Sequence, residues 1–149
     1  MRQIVVGLLV GMLLIAIGLT ALSAKPLLRA RGNFWTELHF AGQWFDIHFT
    51  FDVHDRGEDD HGNLLMRIFD HEDGNLVAVG HSYGEMDVFV VGEWVLFNTP
   101  IRTSFYDEDY FLPLQLPTLL FQAFDGGDAD QFKLLNIPLV ISKGKVVVW

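Results

Sequence analysis

Asp46, His48, Asp52 and His54 occupy even positions of one short stretch, Trp44 to His54, and carboxylate with imidazole is a donor set that suits zinc, manganese or iron. In an extended strand, side chains of one parity share a face and repeat about every 7 Å, so these four form a row. A further ligand is available from His71 or His81 if neighbouring strands bring them alongside. The spacing matches no closed zinc site, and the chain has no cysteine to supply a soft ligand. A polar row covering the wet face of a sheet is the better account of the same residues.

Two acidic loops resemble calcium sites in composition. One is Asp125-Gly126-Gly127-Asp128-Ala129-Asp130 and the other is Asp70-His71-Glu72-Asp73-Gly74-Asn75. Neither has the oxygen spacing of an EF-hand loop, and Asp, Asn and Gly are also the residues that turns select for backbone reasons. Ser82 in Gly80-His81-Ser82-Tyr83-Gly84 spells a G-x-S-x-G elbow, a motif that works at a strand-to-helix turn of an α/β sheet. Its surroundings here read as β meander, so coincidence is the better explanation. Asp107 and Asp109, between Tyr106 and Tyr110, are paired carboxylates whose adjacency does not provide the separation that sugar hydrolysis requires. No constellation points to an enzyme, and none calls for a cofactor beyond a divalent cation on the Asp46–His54 row.

The elements that must carry these residues are strands. Phe45, Ile47, Phe49, Phe51 and Val53 alternate with the polar row, which is the pattern of a strand with one buried and one solvated face. Arg56 to Asn63 reads as a loop, Leu64 to Phe69 as the next strand, and Asp73-Gly74 as a hairpin turn before Leu76 to Tyr83. Met86 to Val91, Trp94 to Phe97 and Ile101 to Tyr106 extend an antiparallel meander without βαβ spacing. Pro117 suits the first turn of a short helix running to Phe124, and Asp128 with Gln131 resembles a capping box before Phe132 to Leu135. A terminal hairpin is expected from Leu139–Ile141 and Val146–Trp149 about a turn at Ser142–Lys145. No internal repeat or low-complexity tract is apparent. The fold class is therefore mainly β: an N-terminal transmembrane helix followed by an antiparallel β-sandwich-like domain with one short helix.

That transmembrane helix is expected over Ile4 to Ala24, an apolar run without charge or proline. At about 1.5 Å per residue it reaches roughly 31 Å, the thickness of the bilayer core. A cleaved secretory signal is the competing reading, with small residues at Ala21–Ala24, but signal cores are shorter and the length favours a retained anchor. Gly7 and Gly11 have the spacing that lets membrane helices approach closely. Residues 1–32 thus form a membrane anchor with a basic juxtamembrane linker, and residues 33–149 a single β domain.

Lys25, Arg29 and Arg31 follow the run and are expected at the headgroups, with Trp35 near the interface. Counted literally, the bases after the run lean toward a cytoplasmic domain, but the three-residue start before it is the layout of an export signal or signal anchor, which places the domain outside the cytoplasm. Nineteen acids against 10 bases give a net charge of −9, which argues against nucleic acid as a partner. The expected partners are the lipid bilayer and a protein. The uncharged, aromatic stretch Phe111 to Phe124 is a candidate contact surface or a plug on the sheet. The function that follows is a membrane-anchored, non-enzymatic binding or assembly module; the alternative is an extracytoplasmic domain that binds a divalent metal through its His/Asp strand face.

Overall fold

A computed structural model describes residues 28–106 and 118–149. The anticipated span, Lys25, Asp107 and Asp109 lie outside the described residues. Within them the chain is all strand: β1 (Leu28–Phe40), β2 (Gln43–Asp55), β3 (His61–Asp70), β4 (Leu76–Ser82), β5 (Asp87–Val91), β6 (Trp94–Thr99), β7 (Ile101–Phe105), β8 (Leu119–Phe124), β9 (Gln131–Leu134), β10 (Ile137–Leu139) and β11 (Ile141–Val148). Two antiparallel sheets result, one ordered β11-β1-β2-β3-β4-β7 and the other β10-β9-β8-β6-β5.

The core lies between them. The odd residues of β2, Phe45 to Val53, point inward and are buried, as the alternation predicts. They meet Phe97, Phe121 and Phe132 of the opposite sheet; Phe49 and Phe132 have ring centroids 4.7 Å apart, and Phe51 and Phe97 are 5.1 Å apart. Burying each such ring contributes about 2–3 kcal/mol, and good ring pairing adds about 1 kcal/mol. Much of the chain's phenylalanine is therefore committed to joining the sheets.

Several local expectations are corrected. Leu119–Phe124 is strand β8 rather than a short helix: Leu119, Phe121 and Ala123 are buried while the residues between them face out. The run looked unperiodic because Leu120 and Phe124 make its outer face apolar too. Gln131–Leu134 is likewise a strand, not the start of a capped helix. The expected turn at Ser142–Lys145 is absent, because β11 runs straight through it to pair with β1. Gly144, at φ 99°, allows this, since any side chain there would strike the backbone of Asn33. The first strand begins at Leu28, so Arg29 and Arg31 are strand residues.

A pseudo-two-fold relation organises the whole. Read outward from the edges, β11-β1-β2-β3-β4 in one sheet corresponds to β5-β6-β8-β9-β10 in the other, with β7 added to the first. β1–β4 build four strands of one sheet and β5 crosses to edge the other; β6, β8, β9 and β10 build four strands of the second, and β7 and β11 cross to the two edges of the first. The correspondence extends to side chains. Asp55-x-Gly57-x-x-Asp60 after β2 and Asp125-x-Gly127-x-x-Asp130 after β8 are the same loop. In each, the first Asp accepts the Gly amide (3.3 and 3.2 Å) and the second accepts the amide following the first Asp (2.7 and 2.9 Å). Gly57 and Gly127 both have positive φ, 81° and 69°. The remaining oxygens reach the exchanged strand: Asp55 and Asp60 accept the Val90 and Val88 amides on β5, and Asp125 and Asp130 accept the Val148 and Val146 amides on β11.

Candidate functional site

The Asp46–His54 row lies on the outer face of the six-stranded sheet, where each member faces β1 on one side and β3 on the other. Asp52 and His54 lie together, with His54 Nε2 3.4 Å from Asp52 Oδ1, while Asp46 and His48 have partners of their own. Asp52 is held by two guanidinium groups: Arg29 Nε donates at 2.8 Å and Arg31 at 3.0 Å. Those cations hold its carboxyl at about 2, well below the usual range. Arg29 also lies 5.1 Å from the ring centroid of Trp149. The two arginines anticipated at the headgroups thus form ion pairs within the domain.

His54 stacks on His61, with centroids 4.7 Å apart and planes at 5°. Burial lowers its pKa, and its Nδ1 is shut off from solvent without a hydrogen-bond partner. His48 lies 2.8 Å from Asn33 Oδ1 through Nε2 and stacks on Trp35 at 4.7 Å. Burial, and then Arg67, depress its pKa. Trp35 also meets Phe69, at 5.4 Å, so it is an aromatic bridge across three strands.

Asp46 behaves differently. It faces Glu37 on β1, and its Oδ1 lies 2.9 Å from Nδ1 of His71 in the β3–β4 turn. His71 is fixed by its own amide, which donates to the Trp44 carbonyl at 3.1 Å. The hydrogen bond to Asp46 and the charge beside it raise the His71 pKa. One ligand atom from each of Glu37, Asp46 and His71 falls within 4.8 Å of the others. Sequence reasoning named Asp46 and His71 but missed Glu37; its signal is cross-strand register, legible only once Leu28–Phe40 is known to be a strand.

The other candidates resolve into structural roles. Both oxygens of Asp125 and of Asp130 accept backbone amides, which leaves the calcium-like loop working as a clasp on β11. Asp70 accepts the amides of Glu72 and Asp73 within its own turn. Ser82 Oγ, the would-be nucleophile, accepts the Leu64 amide at 2.9 Å, and no helix stands beside it among the described residues. A groove of about 400 Å³ lies between the loops Gly57–Gly62 and Gly84–Asp87 and is lined by acids, among them Glu58, Asp59, Glu85 and Asp87.

The outer face of the five-stranded sheet carries more apolar side chains, among polar ones such as Asn98, Gln122 and Lys133. Val91 is 53 % exposed, Trp94 and Phe124 pack their rings at 4.8 Å, and half-buried Leu96 and Leu120 lie further along the face, across from Gln122 and Asn98. Comparisons of this chain with protein-family models, with curated proteins and with solved structures find no match.

Proposed function

We propose that this chain is a membrane-anchored, non-enzymatic binding and assembly module that holds a β-sandwich at the extracytoplasmic surface. The observation that carries the reading is the shortness of the join: only Lys25, Pro26 and Leu27 separate the apolar run from β1. Three residues reach about 10 Å at most, so a helix in the bilayer would hold the adjoining end of the sandwich against the membrane. That end carries Leu28 with its partner Asp55, and the Asp125 loop through its bond to β11. β1 runs away from that end, so the sheet faces would stand sideways to the membrane. A sideways apolar face suits a neighbouring membrane-associated protein, and we take that as the partner class.

Photo-crosslinkers placed in intact membranes at Val91 and Leu96, with Asn63 on the polar face as control, test this. Capture of one discrete protein from the first two positions, lost in Leu96→Asp chain of native fold, is the expected result. Equal capture from both faces, or capture of lipid alone, would count against it.

A further inference from the structure

We propose that Glu37, Asp46 and His71 form a binding site for a divalent transition-metal ion of the zinc class on the outer face of the six-stranded sheet. This goes beyond a partner-binding role and does not depend on it. Two elements fix the donors independently. Register places Glu37 directly across from Asp46, and the amide bond from His71 to the Trp44 carbonyl lays the β3–β4 turn over the same spot.

Charge distinguishes this cluster from its neighbour. Asp52 is neutralised by Arg29 and Arg31, whereas no lysine or arginine among the described residues forms an ion pair with Glu37 or Asp46. Two carboxylates and a neutral imidazole carry a charge of −2, which a divalent cation cancels. The protein thus holds negative charge and an imidazole together with only a shared proton between them.

Geometry and donor type select the ion. The imidazole nitrogen favours zinc and its first-row relatives over calcium or magnesium, which prefer oxygen alone. Ligands about 2.0–2.2 Å from zinc lie roughly 3.3–3.6 Å from one another in a tetrahedron. Asp46 and His71 are already closer than that, at 2.9 Å, and one ligand atom from each of the three residues lies within 4.8 Å of the others. Glu37 is an exposed side chain that can rotate to close the difference. On binding, the Nδ1 proton of His71 leaves, moving to Nε2 from a neutral ring or to solvent from a protonated one, and the hydrogen bond to Asp46 is exchanged for a shared metal. Three protein ligands on an open surface leave the remaining position to water, and the expected affinity is micromolar rather than that of a closed structural site.

The test is zinc titration of the full chain in detergent micelles by calorimetry, with cobalt(II) absorption reporting the ligand set. One equivalent should bind, and His71→Ala and Asp46→Asn should each weaken binding at least tenfold. His61→Ala, which alters the other histidine pair, should leave it unchanged. Glu37→Gln replaces an exposed side chain and keeps the fold, so its loss of affinity decides the matter should either of the other variants misfold. Absence of binding at millimolar zinc, or affinity unchanged in Glu37→Gln, would overturn the proposal; so would calcium binding at the same residues in preference to zinc.

Discussion

Asp125 Oδ2 lies 3.0 Å from the amide of Val148, and this bond ties a loop of the five-stranded sheet to the free edge of the six-stranded one. Its counterpart is the 2.9 Å bond from Val90 to Asp55 at the opposite edge. Edge strands expose alternate amides to which a foreign strand could add, and in β5 and in β11 two such amides each are already taken by aspartate. The same bonds hold the exchanged strand of each half in place.

Replacing these aspartates with alanine should therefore be costly. Each change removes a charge-assisted bond to a strand amide, worth about 1.5–3 kcal/mol. Asp55 is fully buried whereas Asp125 is half-exposed, so Asp55→Ala should cost more than Asp125→Ala. Urea denaturation gives the order. Hydrogen exchange should show faster opening at Val88 and Val90 in the first variant and at Val146 and Val148 in the second.

Glycine substitutions should separate crowding from backbone strain. Gly32 lies across from Phe51, and a Cβ there would land on the phenylalanine ring, so Gly32→Ala should destabilise by about 1–3 kcal/mol through overpacking. Gly127 has open space around it and a φ of 69°, which leaves strain alone, about 1 kcal/mol for Gly127→Ala. Equal losses at the two sites, measured by thermal melting, would contradict this account of the packing.

Acid should weaken the domain in two stages. His48 and His54 have folded pKa values below their ordinary value, so the stability tied to them is present above about pH 6.5 and is lost as pH falls through their folded pKa. Asp52 follows at lower pH: its contribution is present above the usual carboxylate value and disappears as pH falls through about 2. Screening at this partly exposed pair keeps the Asp52 contribution on the order of 1 kcal/mol. His48→Gln should flatten the stability curve between about pH 7 and pH 5, and Asp52→Asn should flatten it only below about pH 4. Melting temperature against pH for the two variants distinguishes the stages.

The β domain was legible where one strand face is greasy and the other wet. The Phe45–Val53 alternation marks β2 directly, and Asp73-Gly74 marks the hairpin that brings His71 over Asp46. β8 was not legible, because Leu120 and Phe124 make its outer face apolar and erase the period. β11 was hidden by Ser142–Lys145, which has the composition of a turn but is held extended by pairing with β1, a contact more than a hundred residues away in sequence. The paired Asp-x-Gly-x-x-Asp loops are visible in the sequence, yet their letters are those of any tight loop; only the four bonds to Val88, Val90, Val146 and Val148 reveal them as equivalent. Of the proposed metal ligands, Glu37 needed the register of β1, which basic Arg29 and Arg31 disguised as a linker.

Tethering is tested most directly by alkaline extraction of membranes from cells making the full chain, followed by protease treatment of intact vesicles and sequencing of the products. The account predicts that the chain stays with the membrane with Met1–Ala24 still attached, and that protease acting from the extracytoplasmic side releases a folded fragment beginning between Lys25 and Leu28. A soluble mature chain beginning near Lys25, or a β domain reached by protease only from the cytoplasmic side, would contradict it.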